Sequence, residues 1–213
     1  MSVHYIIKIL LFITIAHAGC ALAGSYEDLL AAVKENDRGA VEALIARGMD
    51  VNTTDQDGNT LLMLALREDR PEMAEMLLRQ HAALDARNRY GETALMLAAA
   101  GGDLNLVKQM VEHGAKVNLS GWNPLIYAAW RGHTNVVKYL LEKGADIDAV
   151  GPSGVSALMM AAREGHYDTV KLLVWEVANP NLKSDSGATA LQWALKAGNT
   201  EIAALLRVAG AKE

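Results

Sequence analysis

Histidine and methionine are the residue types in this chain that most readily take part in metal or cofactor chemistry. Two Gly-His pairs place His133 and His166 33 residues apart. Imidazole nitrogen is a common metal ligand, so a stacked pair is one possible site. Thioether sulfur suits copper or heme iron, and four methionines are candidates: Met63, Met96, Met159 and Met160. Whether these side chains do chemistry or fill a core depends on the elements that hold them.

Sequence signatures of catalysis are missing. The chain has no nucleophile elbow, no glycine-rich phosphate loop and no H-E-x-x-H metal motif. We therefore expect a protein that is not an enzyme and has no resident cofactor.

The composition of the 213 residues is that of a folded helical protein. Hydrophobic residues make up 51% and charged residues 21%, while aromatic residues are only 5%. The formal net charge is −5, and it becomes −6 if residues 1–23, whose one Lys or Arg is Lys8, are removed. An acidic chain of this kind is not expected to bind nucleic acid.

The sequence repeats itself with a period close to 33 residues. One leucine, found in segments such as GNTLL and GETAL, marks the period at Leu62, Leu95, Leu125, Leu158 and Leu191. Its spacings are 33, 30, 33 and 33 residues, so one unit is three residues short. A second segment agrees, since GHTNVVKYLLEKGADIDA repeats GGDLNLVKQMVEHGAKVN with local changes. A fixed period of this length is typical of stacked repeat proteins.

This pattern resembles the ankyrin repeat, which has a turn, G-x-T-P-L-H-x-A-A, a glycine break and V-x-x-L-L-x-x-G-A-x-x-N. The resemblance covers about residues 25 to 213 and implies an all-α solenoid of helix-turn-helix units with β-turn fingers. We expect one domain, 24–213, with about six repeats including caps. The boundaries are 25–53 (N-terminal cap), 54–86, 87–119, 120–149, 150–182 and 183–213 (C-terminal cap).

A double glycine interrupts the helical pattern in the segment GETALMLAAAGGDLNLVKQMVEHGA, and a similar interrupted pattern returns further along the chain. We expect a first helix around Ala94 to Ala100, a reversal at Gly101-Gly102, and a second helix around Leu104 to Glu112. Helical spacing assigns four residues of the second helix to the core: Leu106, Val107, Met110 and Val111.

Three departures from the family pattern carry expectations of their own. Val177 stands where Gly114 and Gly144 end their helices, and a β-branched residue is strained at positive φ, so we expect a different helix ending there. The three-residue deletion precedes Trp122 and should shorten one finger and notch the array. The histidine after T-P-L is replaced throughout, so we expect packing, not side-chain hydrogen bonds, to brace the turns. The replacements are Met63, Met96, Ile126, Met159 and Gln192.

The repeat register favours structural roles for the histidines and methionines. His133 and His166 occupy the helix-turn position where the ankyrin pattern itself has histidine. Adjacent repeats are about a helix diameter apart, roughly 10 Å, whereas zinc holds its ligands at about 2 Å. The methionines fall at equivalent core positions, where Met commonly fills irregular gaps. We expect no metal site.

Aromatic and basic residues are the stronger candidates for function. In ankyrin proteins the turn fingers and the ends of the first helices line a concave face that binds partners, and Trp, Tyr and Arg are enriched in binding hot spots. The predicted partner-binding residues are Arg67, Arg89, Tyr90, Trp122, Trp130, Arg131 and Arg163. We expect Trp175 and Trp193 to be core residues. The arginines favour an acidic partner surface, although the neighbouring Glu68 and Glu164 offset part of their charge.

The N-terminal segment MSVHYIIKILLFITIAHAGCALAGS has the layout of a secretory signal peptide, with Lys8, an apolar run and then small residues. The apolar run, Ile9 to Ala16, is too short for a permanent membrane span. Cleavage after Ala23 is the first interpretation and cleavage after Ala18 the second. The third is acylation of Cys20, the one cysteine, as a lipoprotein anchor following cleavage before it.

Together these features predict an exported, periplasmic, monomeric binding module for a protein partner. The resemblance to small exported bacterial ankyrin proteins, some of which support catalase, extends the expectation to an oxidative-stress enzyme. A heme or metal carrier and a secreted effector or toxin-neutralising binder are the two alternatives.

Overall fold

The computed structural model describes residues 26–212, so the predicted signal peptide and Cys20 lie outside the described residues. Within this range twelve α-helices form six consecutive pairs, and the β-structure consists of two isolated bridges, Thr54–Thr60 and Val150–Ser156. The chain divides after Ala82 into two compact units. The described residues therefore confirm the predicted all-α architecture.

The first unit contains four helices: α1 (26–34), α2 (Arg38–Ala46), α3 (Leu61–Arg67) and α4 (Pro71–Arg79). Its core is formed by fully buried side chains such as Leu29 on α1, Val41 on α2 and Leu77 on α4. The Tyr26 hydroxyl donates a hydrogen bond to the Thr54 carbonyl. The first pair thus has the two helices that the sequence predicts for a capping repeat.

The second unit contains eight helices and one short 3-10 turn, Pro152–Gly154. The first helices of its repeats are α5 (Ala94–Gly101), α7 (Pro124–Trp130), α9 (Ala157–Glu164) and α11 (Ala190–Lys196). The second helices are α6 (Leu104–Glu112), α8 (Thr134–Glu142), α10 (Tyr167–Trp175) and α12 (Thr200–Val208).

Within the second unit, neighbouring first helices pack on one another, and so do neighbouring second helices. Buried alanines such as Ala98, Ala128 and Ala161 let the first helices approach closely. Loop side chains also accept hydrogen bonds from the backbone of the next repeat: Asp85 from Lys116, Asn118 from Asp146, Asp148 from Asn179, and Asn181 from Lys212.

The double-glycine break is present and has a second physical cause. Helix α5 ends at Gly101, and Gly102 has a φ of +81°, where a residue without Cβ is favoured. A Cβ on Gly102 would also lie 2.4 Å from the imidazole ring of His133 in the next repeat. Glycine is therefore required both by the turn and by the histidine packed over it.

The expectation of a different helix ending at Val177 is wrong. Val177 has a φ of +67°, and its N–H donates to the Val174 carbonyl as the N–H of Gly144 donates to that of Leu141. The following Ala178 is buried and donates to the Leu173 carbonyl. Burial of this alanine and the backbone hydrogen bonds hold the same ending in spite of the β-branched side chain.

The expectation about the turns is also wrong, because side-chain hydrogen bonds do brace them. At α3, α7, α9 and α11, but not at α5, the side chain of the residue before the helix accepts a hydrogen bond from a backbone N–H three residues later, which is ordinary N-capping. Thr60 caps Met63, Asn123 caps Ile126 and Ser156 caps Met159. Gln192 takes part itself, since it forms a capping box with Thr189.

Four fingers close with the same backbone hydrogen bond, from residue i to the carbonyl of residue i+4. The donor and acceptor pairs are Asp55 and Asn59, Asn88 and Glu92, Gly151 and Val155, and Ser184 and Ala188. The segment before Trp122 is shorter by the predicted three residues, and it adjoins the pocket described next.

Candidate functional site

A pocket of about 380 Å³ lies along α7, between the neighbouring repeats of the second unit. Helix α7 contributes Ile126, Tyr127 and Trp130 to its wall. The remaining lining residues come from the fingers and from α9: Glu92, Trp122, Val155, Met160 and Arg163. The wall is mainly apolar and aromatic, with one carboxylate and one guanidinium.

The fingers explain why the pocket forms at this repeat. Glu92 and Val155 belong to full-length fingers on either side, whereas Trp122 lies on the finger that is three residues short. A Cβ on Gly151 would lie 3.2 Å from the Trp122 ring, so glycine lets the indole lie directly against the next finger. The deletion thus leaves a recess that Trp122 lines without filling.

Three aromatic rings form a row along the pocket. The centroids of Trp122 and Tyr127 are 5.9 Å apart, those of Tyr127 and Trp130 are 6.2 Å apart, and both pairs meet at 88°. Edge-to-face geometry of this kind is the favoured contact between aromatic rings. Tyr127 and Trp130 are three residues apart on α7, so they lie on one face of the helix.

Hydrogen bonds fix the central ring of the row. The Tyr127 hydroxyl donates to one carboxylate oxygen of Glu92 at 2.9 Å. The side-chain amide of Asn88 donates to the other oxygen at 2.7 Å. The finger of one repeat therefore positions the aromatic residue of the next, and the pocket wall is pre-formed.

Arginines lie at the end of the row nearest the helix C-termini. The Arg131 guanidinium is over the Trp130 ring, 5.4 Å from its centroid. Arg163 is 5.3 Å from the centroid of Trp193 and pairs with Glu164 at 2.7 Å. Both guanidiniums thus lie against aromatic rings, whose electron-rich faces attract the positive charge.

The two histidines connect repeats through their backbones. His133 donates from Nε2 to the Ala100 carbonyl, and His166 donates from Nε2 to the Trp130 carbonyl, both at 2.9 Å. The second bond anchors the end of α7 that carries Trp130. Residues 26–212 contain no group of three or more His, Cys, Asp or Glu side chains that could hold a metal ion.

The methionines are core residues, as predicted. Met63, Met96 and Met159 are fully buried, and Met160 is 6% exposed where it reaches the pocket wall.

The predicted binding residues are not all in one place. The pocket brings together Trp122, Trp130 and Arg163, with Arg131 stacked on Trp130. Tyr90 is 54% exposed on the finger before α5, with the Arg89 guanidinium 5.0 Å from its centroid. The remaining residue, Arg67, is the exposed last residue of α3 in the first unit.

The core assignment of Trp175 is wrong. Its side chain is 73% exposed in the last turn of α10, with the Lys171 ammonium 5.2 Å from the ring centroid. The buried residues of α10 are Thr169, Val170 and Leu173, and Trp175 lies off that stripe. Trp193 is half-buried under Arg163.

Sequence reasoning missed Tyr127 and Glu92. Tyr127 could have been found from its position three residues before Trp130, which puts both on one helical face. Glu92 had no signal of its own, because its role depends on the finger reaching the ring of the next repeat.

No helix in the described range 26–212 is long and apolar enough to cross a membrane.

The comparisons with known proteins identify the family. The pattern described as "Ankyrin repeats (3 copies)" matches residues 4–88, 80–151 and 148–212. The chain belongs to the ankyrin-repeat family, and its helix pairs confirm the predicted fold. Ankyrin repeats are protein–protein interaction modules and typically non-catalytic scaffolds.

Two solved ankyrin domains are similar over most of the chain. The first, from Acinetobacter baumannii AYE, is 32% identical with a TM-score of 0.74, over 86% of this chain and 98% of that one. The second, of human ASB11, is 28% identical with a TM-score of 0.77, over 86% and 84%.

Similarity to the curated relatives is local. Glycerophosphocholine phosphodiesterase GDE1 of Candida albicans is 37% identical over 46% of this chain, and NF-kappa-B inhibitor alpha of Rattus norvegicus is 37% identical over 41%. These matches span 9% and 30% of the relatives' own lengths.

Proposed function

We propose that this chain is a non-catalytic module that binds a partner protein at the α7 pocket. The observation that carries the proposal is the row of Trp122, Tyr127 and Trp130 lining a recess of about 380 Å³. A pre-formed recess loses little conformational freedom on binding, which favours affinity. Trp and Tyr are also the residue types that dominate binding energy at interfaces.

The module acts as a monomer in the bacterial cell envelope, in the periplasm. Support for export comes from the N-terminal segment with Lys8 and the apolar run that follows it. Support for a bacterial setting comes from the Acinetobacter baumannii domain, which this chain matches over 98% of its length. The partner is an oxidative-stress enzyme such as catalase, as for some small exported ankyrin proteins.

The test is affinity capture from envelope extract with the full chain, expressed with its own N-terminus and recovered from the periplasmic fraction. Trp130→Ala removes one wall of the pocket. Trp175→Ala is the matched control, because it removes the same side chain from an exposed site on α10. Circular dichroism checks that helical content is equal in the three proteins.

We expect a partner that wild type and Trp175→Ala capture and Trp130→Ala loses. Equal capture by all three proteins would contradict the proposed site. Recovery of the chain only from the cytoplasm would contradict the proposed location.

A further inference from the structure

We infer that the α7 pocket receives a bulky aromatic side chain from a partner segment that carries carboxylates beside it. This inference rests on the proposed function and names the chemistry of what that site binds. Three features of the pocket lead to it: its apolar lining, the charge at its two ends and its length.

The apolar lining favours an aromatic side chain as the part of the partner that enters the pocket, which we call the anchor. Ile126, Val155 and Met160 supply aliphatic and thioether surface, and the aromatic row supplies ring faces and edges. A volume of about 380 Å³ lies in the range of about 300–1,000 Å³ in which pockets enclose a whole small ligand. Aromatic side chains bury about 150–250 Å² and gain further stabilisation from edge-to-face contacts.

The charges select acidic neighbours. Three of the four first helices of the second unit carry a cation at or just after their last turn, α5 being the exception: Arg131 after α7, Arg163 in α9 and Lys196 in α11. Glu164 offsets one of these charges through its pair with Arg163. Helix C-termini themselves favour cations, but stacking on Trp130 and Trp193 also keeps the two guanidiniums beside the pocket. Carboxylates next to the anchor of a partner would lie close to these cations, at the end of the pocket that carries Arg131 and Arg163.

The opposite end gives the anchor a direction. Glu92, on the finger at the N-terminal side of α7, presents a carboxylate to the pocket. Helix α7 has seven residues, so the two ends are separated by about 10 Å. An indole N–H or a phenol O–H can donate to a carboxylate. The anchor therefore enters with its polar atom toward Glu92 and its acidic flanks toward Arg131 and Arg163.

The experiment is selection of a random dodecapeptide library on the immobilised full chain, followed by titration of synthetic copies of the enriched peptides. Three variants are compared. Trp130→Ala removes the pocket wall, and Arg131→Gln removes one charge beside it. Lys138→Gln removes an exposed charge from α8 of the same repeat as the matched control.

We expect enrichment of peptides with one Trp or Tyr beside Asp or Glu. Trp130→Ala should lower the affinity of these peptides at least about tenfold. Arg131→Gln should lower the affinity of the peptides about two- to fivefold and reduce the dependence of that affinity on salt. Lys138→Gln should leave the affinity and its salt dependence unchanged. Peptides that require Trp130 but lack acidic residues, or carry basic ones, would overturn the inference and leave the proposed function intact. Enriched peptides insensitive to Trp130→Ala would overturn both, and no enrichment would overturn the inference.

Discussion

Replacing the strained Val177 with glycine should stabilise the protein. Val177 has a φ of +67°, and its side chain is 81% exposed, so little packing is lost with it. The left-handed conformation costs an L-residue about 1–2 kcal/mol. Glycine removes this cost, but its greater conformational freedom stabilises the unfolded state by about 0.5–1 kcal/mol. We expect a net gain of about 0.5–1 kcal/mol, with a Tm increase of about 2–4 °C per kcal/mol.

The measurement is urea unfolding of the full chain, followed by circular dichroism. The matched control is Val208→Gly, because Val208 is 88% exposed at the last position of α12 and has helical backbone. Glycine there relieves no strain and should destabilise by up to about 1 kcal/mol. If Val177→Gly is as destabilising as Val208→Gly, the strain assigned to Val177 is refuted.

Two further perturbations are measured by urea unfolding: the first tests a contact between repeats, and the second tests hydrogen bonds within one finger. Gly102→Ala and Gly144→Ala share nearly the same φ, +81° and +83°, but only the first places a Cβ against His133. Gly102→Ala should therefore cost about 1–3 kcal/mol more, and equal losses would contradict the histidine contact. Burial raises the pKa of Asp55, but hydrogen bonds from Asn59 and the backbone outweigh it and hold that pKa below its ordinary value. Its stabilising contribution should be present above about pH 4 and lost as the pH falls through the lowered pKa. Asp55→Ala should reduce the fall in the free energy of unfolding at acid pH. An unchanged pH profile would contradict the stabilising role of the Asp55 carboxylate.

Features that repeat along the chain were the ones predictable from sequence. The periodicity predicted α6 as Leu104 to Glu112, and the structure has the same helix. The glycine break was predicted from Gly101-Gly102, although only the structure shows that His133 also requires it. The shortened finger before Trp122 predicted a notch, and a pocket lies beside that finger.

The features of the fold and the site that the sequence does not predict depend on packing and on contacts between repeats. The pattern within one repeat carries no information about these contacts. Glu92 is not predictable from its own repeat because the hydroxyl that it accepts from, that of Tyr127, lies 35 residues later in the chain. Val177 was misjudged because burial of the neighbouring Ala178 outweighs the local φ preference. The core assignment of Trp175 rests on a helix position expected to face another repeat, whereas the buried residues of α10 are Thr169, Val170 and Leu173.

The most direct test of the account is site-specific photo-crosslinking in living cells. A benzophenone amino acid replaces Trp130 beside the pocket or, in the control, the more exposed Trp175 on α10. Binding at the α7 pocket predicts a discrete crosslinked partner from position 130 and none from position 175. Crosslinking from position 175 but not from position 130 would contradict the claim that the α7 pocket is the binding site.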